Sequence, residues 1–276
     1  MLKIGIDNYC YHRLFELEGK GRWTIFDFIK RAKELEVAGV SLETCFLESL
    51  EPDYLKTVRK ALDEANLDRV LAWGHPDGLE GGRNLAAAEE LKQHFKTAEL
   101  LNTKVMRIVG SSYRFRTEPH GPQIRQVSDI LKDVVKVAES YDIVMGIENH
   151  LTFNADEILR ILAKVNSPYL GVTLDTGNAL RVFDDPVEAA RKLAPHAVAT
   201  HIKDVTTAKG SPIEISFCPS VPVGKGIIDI PAIVSILEDA SYQGMLCIEV
   251  DRLSADWAEK EDEAVQESVR YLKSLK

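Results

Sequence analysis

The sequence has few cysteines, and none of them are close together. The four thiols are Cys10, Cys45, Cys218 and Cys247, and no pair has the C-x-x-C spacing. This distribution argues against a disulfide framework or a zinc ribbon and is typical of reduced, mostly buried cysteines. The sequence also lacks a stretch of about 18 apolar residues, so we expect no membrane span. The first seven residues have no long apolar segment of the signal-peptide type, and we expect a cytoplasmic protein.

Positive charge is scarcer than negative charge. The 276 residues include 34 Lys and Arg against 43 Asp and Glu, which gives a net charge of −9. Such a surface repels phosphate backbones, so we expect no nucleic-acid partner. Apolar residues make up 45% and charged residues 28% of the chain. These values exclude a disordered chain, a collagen and a coiled coil.

Short apolar, β-branched runs recur eight times and alternate with segments of helical period. The predicted strands are 2–7, 39–44, 69–74, 104–109, 143–148, 169–175, 197–202 and 245–250. The predicted helices are 24–37, 52–65, 84–101, 124–141, 155–165, 186–193, 230–240 and 259–275. No linker interrupts the pattern, which predicts the α/β class and a single (β/α)8 barrel over residues 1–276. An open doubly wound sheet is the alternative, although no glycine-rich nucleotide motif supports it.

Two predicted connections are long for this architecture. They cover residues 110–123, after the fourth strand, and residues 205–229, after the seventh. Both follow the carboxyl ends of strands, where barrel enzymes build their active sites. We therefore expect substrate loops or lids at the catalytic face, with simple surface elaboration as the alternative.

Polar residues end four successive predicted strands. Glu148 ends the fifth strand and Asp175 the sixth, while His201 and Glu249 lie near the ends of the seventh and eighth. Three carboxylates on one rim would repel each other, and an unpaired charge beside an apolar run is costly. One divalent ion would resolve both problems, and this donor set suits Mn²⁺, Mg²⁺, Co²⁺ or Zn²⁺. The alternative is that the carboxylates pair with basic residues such as Arg107, Lys203 and Arg252.

The order I-E-N-H, L-D-T-G-N, H-I-K-D, I-E resembles the xylose isomerase-like TIM-barrel superfamily. That group holds sugar isomerases, ketose 3-epimerases, inosose dehydratases, some sugar-acid lyases and endonuclease IV. The resemblance implies that Glu148, Asp175, His201 and Glu249 hold one divalent ion per chain, with Mn²⁺ as the first choice. It also implies that Glu148 and Glu249 act as acid and base. Two positions depart from the family pattern, because Asn178 and Thr207 stand where a His and an Arg are often found.

Other polar residues near the strand ends are candidates for binding the substrate. They are Glu43, His75, Arg107, His150, Asn178, Lys203 and Asp204. His75 has a structural alternative, and Glu43 could also be a third acid or base. Aromatic and imidazole side chains after the first strand could line the pocket. They are Tyr9, Tyr11 and His12.

A cationic group suggests that the substrate carries a carboxylate or a phosphate. Its members are Arg107, Arg114, Arg116, His120 and Lys203. The alternative is that these cations balance the charge of Glu118 and of the metal-binding carboxylates.

Together these features predict a metal-dependent sugar isomerase or epimerase that acts on a ketose or an oxo sugar acid. The ion would stabilise an enediolate, and carboxylates would move the proton. A lyase using the same site is the alternative, either a decarboxylase of a 3-oxo sugar acid such as 3-oxo-isoapionate or a keto-inositol dehydratase. Endonuclease IV-like repair and a non-enzymatic sugar-binding barrel are more remote alternatives. The expected partner is a small sugar or sugar acid, and a homo-oligomer is compatible with the sequence.

Overall fold

Strands and helices alternate along the chain in the computed structural model, which describes residues 2–16, 22–212 and 214–275. The barrel strands are β1 (Lys3–Asp7), β2 (Gly39–Glu43), β3 (Asp68–Ala72), β4 (Val105–Ile108), β5 (Val144–Glu148), β6 (Leu170–Asp175), β7 (Ala197–His201) and β8 (Met245–Ile248). The helices are α1 (His12–Glu16), α2 (Ile25–Glu34), α3 (Pro52–Glu64), α4 (Leu85–Leu101), α5 (His120–Ser140), α6 (Ala155–Val165), α7 (Thr176–Arg181), α8 (Pro186–Leu193), α9 (Ile230–Asp239) and α10 (Glu261–Ser274).

The eight strands form one parallel sheet that closes on itself. Strand β1 pairs with both β2 and β8, and the remaining strands follow in chain order to β7. Closure between β7 and β8 uses Ile202, which bridges to Ile248. The Ile202 amide donates to the Cys247 carbonyl at 2.7 Å, and the Glu249 amide donates to the Ile202 carbonyl at 3.2 Å. The predicted barrel is confirmed, and the open-sheet alternative is wrong.

The outer helices form where an apolar stripe follows a capping residue. Helix α2 begins after a capping box in which Thr24 and Asp27 bond each other's backbone amides. It buries Phe28 and Ile29 against the sheet while its other face stays in solvent. Helix α6 also begins after a capping box, with Asn154 as its N-cap residue. Caps of this kind satisfy amides that the first helical turn leaves without partners.

The structure differs from the predicted elements in four places. Helix α5 begins at His120 instead of residue 124, so the connection after β4 is shorter than expected. Helices α1 and α7 were not predicted, because five and six residues are too few to show a helical period. Two antiparallel two-residue strands, Asp204–Val205 and Ser220–Val221, bring order to the long connection after β7. Across the described ranges, no helix combines the length and apolar character needed to cross a membrane.

Candidate metal centre

The four predicted ligands converge at the carboxyl ends of β5 to β8. One potential ligand atom from each of Glu148, Asp175, His201 and Glu249 lies within 4.8 Å of the others, and all four side chains are buried. The His201 Nδ1 atom is 2.7 Å from Glu249 Oε2, 3.3 Å from Glu148 Oε1 and 4.0 Å from Asp175 Oδ2. The barrel therefore gathers three carboxylates around one imidazole nitrogen.

Two oxygens of this cluster lack the hydrogen bonds that buried oxygens normally make. Asp175 Oδ2 and Glu249 Oε2 are inaccessible to solvent and accept no hydrogen bond of suitable geometry. Buried carboxylate oxygens that accept no hydrogen bond are costly, even though His201 Nδ1 lies near Glu249 Oε2 and Lys203 Nζ near Asp175 Oδ2. Oxygen and imidazole donors are the ligands that Mn²⁺ and similar divalent ions accept. The side chains present therefore fit a divalent ion, which all four could hold together.

Each buried cation around the cluster is already paired with carboxylates. The Arg107 guanidinium lies between Glu148 and Glu43, with Nε donating to Glu148 Oε2 at 2.7 Å and Nη1 to Glu43 Oε1 at 3.1 Å. Lys203 Nζ is 3.1 Å from Asp175 Oδ2 and 3.4 Å from Glu249 Oε1. The salt-bridge partners expected for Arg107 and Lys203 are thus present beside the same four residues.

A third paired cation, Arg181, sits farther along the rim. Its guanidinium binds the Asp251 carboxylate and also donates to the Cys218 carbonyl. Lys203 Nζ also lies 3.1 Å from Asp251 Oδ2. The charges of this rim therefore form one connected network that holds its side chains in fixed positions.

Burial and neighbouring charge together set the pKa values of the site. Burial raises the pKa of Glu148, but Arg107, His150 and His201 together outweigh burial and hold that pKa well below its usual range. Burial raises the pKa of Glu43 to about 7 against the opposing charge of Arg107. Burial lowers the pKa of His150 to about 4. His150 is consequently neutral at pH 7 and can offer a hydrogen-bond donor and an acceptor.

A cavity of about 280 Å³ opens above the cluster. Six of the seven predicted substrate-binding residues line it, and these are Glu43, His75, Arg107, His150, Asn178 and Lys203. Tyr9 and the metal-cluster residue Glu249 line it as well. The long connection after β7 contributes Ile215 to the wall. The volume suits a small molecule of sugar size.

Asp204 does not line the cavity, and the structure gives it a structural role in place of the predicted substrate contact. Its carboxylate accepts hydrogen bonds from the backbone amides of Val205, Gly224, Gly226 and Ile228. Gly224 has φ +88, a conformation that favours glycine. Asp204 therefore organises the loop that covers one side of the barrel mouth.

Several other predicted pocket residues also lie elsewhere. Tyr11 is buried and donates to Asp262, while His12 stacks on Tyr9 at 4.8 Å between ring centroids. The cations after β4 are engaged outside the cavity lining, with Arg114 on Asp77, Arg116 over the Tyr113 and Phe183 rings, and His120 on Glu157. Glu118 is paired with Arg83. Only Arg107 and Lys203 of the predicted cationic group reach the site.

Four residues of the site were missed as functional candidates. Arg181 lies on the unpredicted helix α7, and Asp251 and Arg252 follow β8. Asp7 is the last residue of β1, fully buried, with its Oδ2 atom 3.5 Å from His201 Nε2. The rule that found the other strand-end residues, a polar side chain directly after an apolar run, also applies to Asp7.

The closed barrel, the cluster at the carboxyl ends of β5 to β8 and the cavity above it define a (β/α)8 protein with a candidate site on the rim of the barrel. The chain belongs to the xylose isomerase-like TIM barrel family, whose model matches residues 29–275. The predicted superfamily is therefore confirmed.

Individual relatives are more distant. The 3-oxo-isoapionate decarboxylase of Pectobacterium atrosepticum is 25% identical over 163 residues, which cover 59% of this chain and 54% of that protein. The match thus spans about half the length of this curated relative. Among solved structures, a xylose isomerase domain protein from Planctomyces limnophilus superimposes with a TM-score of 0.79 at 20% identity, covering 99% of this chain and 96% of the other. A D-psicose 3-epimerase structure in the presence of D-fructose gives a TM-score of 0.77 at 16% identity, covering 99% of both chains.

Proposed function

We propose that the protein is a divalent-metal-dependent isomerase or epimerase of a neutral polyhydroxy carbonyl compound such as a ketose. The observation that carries the proposal is the convergence of Glu148, Asp175, His201 and Glu249 within 4.8 Å beneath a sugar-sized cavity. A divalent ion held by these four side chains, with Mn²⁺ as the first choice, supplies Lewis-acid polarisation of a substrate carbonyl and an adjacent hydroxyl.

The chain's own residues supply proton transfer and orientation. Glu148 and Glu249 extend from β5 and β8, and each has an oxygen close to His201 Nδ1, at 3.3 Å and 2.7 Å. In the proposed reaction one of them removes the proton from the substrate carbon beside the carbonyl and the other returns one. His75, His150 and Asn178 line the same cavity and offer hydrogen bonds to substrate hydroxyls.

Charge balance favours a neutral substrate. Five carboxylates pair with the three cations Arg107, Arg181 and Lys203, and they are Glu43, Glu148, Asp175, Glu249 and Asp251. A sixth carboxylate, Asp7, lies beside His201. Each of the three cations is already paired, so none is free to hold a substrate carboxylate without giving up a buried partner. Breaking a buried pair is strongly unfavourable.

A decarboxylase of an oxo sugar acid is the second candidate, because a curated relative carries that activity in its name. Arg252 supports it, since this exposed side chain lines the cavity and makes no ion pair within the described residues. Loss of CO₂ breaks a carbon–carbon bond and leaves its electron pair beside the carbonyl. The carbon then takes a proton, and Glu148 or Glu249 is placed to give it. Dehydration of a keto-inositol would use the same proton-transfer groups.

The test separates these reactions on one preparation. The protein is loaded with Mn²⁺, and in parallel with Mg²⁺, Co²⁺ or Zn²⁺, and incubated in D₂O with a panel of ketoses, keto-inositols and 3-oxo sugar acids. Deuterium at the carbon next to the carbonyl, together with a new ketose or epimer seen by NMR, supports the proposed function. Release of CO₂ from an oxo acid, with no turnover of neutral sugars, would replace it with the second candidate. No turnover with any metal would contradict both.

A further inference from the structure

Asp7 is a buried carboxylate with no Lys or Arg partner among the described residues. It lies at the end of β1, inside the barrel, and is 0% exposed. The Tyr9 amide donates to Oδ1 at 2.6 Å, which fixes the orientation of the carboxylate. The other oxygen, Oδ2, accepts no hydrogen bond of suitable geometry, and no Lys or Arg of the described chain pairs with it. A carboxylate kept in such a place needs an explanation, because its burial is costly.

The only charged or imidazole group at ion-pair distance from Asp7 in the described chain is His201. The two ring nitrogens of His201 face opposite sides of the barrel interior. Nδ1 points at the carboxylates of Glu148, Asp175 and Glu249, whereas Nε2 lies 3.5 Å from Asp7 Oδ2. That separation is at the long end of the range for a hydrogen bond. Nδ1 has a closer neighbour, because it lies 2.7 Å from Glu249 Oε2.

The ring can offer Nδ1 to a metal ion only if its single proton sits on Nε2. A histidine that binds a metal through one nitrogen usually donates the other N–H to a carboxylate or carbonyl, which fixes the tautomer and the ring orientation. Asp7 Oδ2 is the acceptor available for that proton. We propose that Asp7 is a positioning residue that holds His201 in the Nε2–H tautomer and so keeps Nδ1 free to bind the metal. The inference depends on metal binding by the four-residue cluster and not on which sugar reaction follows.

Asp7→Asn tests the proposal with little change of shape. The Tyr9 amide would still donate to the carbonyl oxygen of the asparagine side chain, so the NH₂ group of that side chain would face His201 Nε2. An NH₂ group there donates a hydrogen bond and favours the tautomer whose proton is on Nδ1. Removing a carboxylate of this kind typically weakens metal affinity by about 10–100-fold. Mn²⁺ affinity is measured from the free-ion EPR signal, with no substrate present. Ser41→Ala is the matched control, because Ser41 is the in-register neighbour of Asp7 on β2, is buried, and makes no side-chain hydrogen bond.

A second readout separates positioning from general destabilisation. In the Zn²⁺-loaded protein, long-range ¹⁵N–¹H NMR reports which nitrogen of His201 carries the proton. We expect an Nε2–H with slow solvent exchange in the wild type and in Ser41→Ala, and its loss or shift in Asp7→Asn. If Asp7→Asn does not fold, an Nε2–H tautomer in the wild type still supports the proposal, and any other tautomer overturns it. Mn²⁺ affinity of Asp7→Asn within about threefold of the wild type would also overturn it. If the wild type binds no divalent ion, that result would instead contradict the proposed function itself.

Discussion

The two halves of the barrel contribute different chemistry to one rim. Strands β5 to β8 supply the four converging side chains, each at or directly after the end of a strand. Strands β1 to β4 supply groups that hold those side chains, with Asp7 behind His201 and with Glu43 and Arg107 against Glu148. The candidate metal centre therefore relies on charges from strands that contribute none of its four converging side chains. Changes to the four converging side chains of the second half should therefore act on the chemistry, and changes to the supporting charges of the first half should act on stability and on metal affinity.

The largest effect is expected for Glu148→Gln and Glu249→Gln in the second half. Glutamine keeps an oxygen donor but cannot accept the substrate proton. General acid–base catalysis contributes about 10²–10⁴-fold, so turnover should fall by at least that factor while part of the Mn²⁺ binding remains. The measurements are kcat on the substrate found with the metal-loaded panel and Mn²⁺ affinity by EPR. Near-full turnover of both variants with metal bound would assign the base to another group, such as Lys203, Glu43 or His75.

Arg107→Met in the first half should act on stability. It leaves the buried carboxylates of Glu43 and Glu148 without their cation. Removing one partner of a buried ion pair costs about 3–5 kcal/mol, and we expect the free energy of unfolding in urea, measured with EDTA, to fall by that amount. Adding Glu43→Gln to the same chain should recover part of the loss, because one unpaired carboxylate is removed. A loss of unfolding free energy under about 1 kcal/mol would show that the Arg107 ion pairs contribute no more than ion pairs exposed to solvent.

Asp204→Ala should disturb the loop of the second half without touching the cluster. Four backbone amides lose their acceptor. The Val205 and Ile228 amides are buried, and leaving buried donors unsatisfied costs about 1–3 kcal/mol, which urea unfolding would register. Mn²⁺ affinity should stay at the wild-type value. A loss of metal affinity equal to that of a ligand variant would contradict the structural role assigned to Asp204.

The smallest effect is expected for Thr24→Ala, at the cap of helix α2 on the outside of the first half. Loss of an N-cap side chain costs about 1 kcal/mol, so the unfolding midpoint should fall slightly. Neither Mn²⁺ affinity nor turnover should change, because among the described residues the hydrogen bonds of the Thr24 side chain stay within its own helix. A change in either would mean that the outer helices and the rim are coupled more closely than the contacts indicate.

The sequence was sufficient to predict the barrel and the four converging side chains. Alternation of apolar runs with helical periods indicates the fold, and each of Glu148, Asp175, His201 and Glu249 directly follows or ends such a run. Asp204 is not among the residues that line the cavity, which strand alternation could have indicated. It lies an odd number of residues from His201, so its side chain is expected on the opposite side of an extended segment.

Pairing between side chains could not be predicted in the same way. That Arg107 contacts both Glu43 and Glu148 depends on how β2, β4 and β5 curve around the barrel, which the sequence does not specify. Arg181 was missed because helix α7 has only six residues and shows no period of its own. Asp7 was considered only as part of the first strand, although its position at a strand end carries the same signal as the ligands.

The central claim is that one divalent ion binds between β5 and β8, and diffraction tests it most directly. Crystals grown with MnCl₂ and measured for anomalous scattering of manganese should show one strong peak per chain. Oxygen or nitrogen atoms of Glu148, Asp175, His201 and Glu249 should all lie within about 2.0–2.6 Å of it. The absence of a peak among these side chains at millimolar Mn²⁺, or an ion bound elsewhere on the chain, would contradict the account.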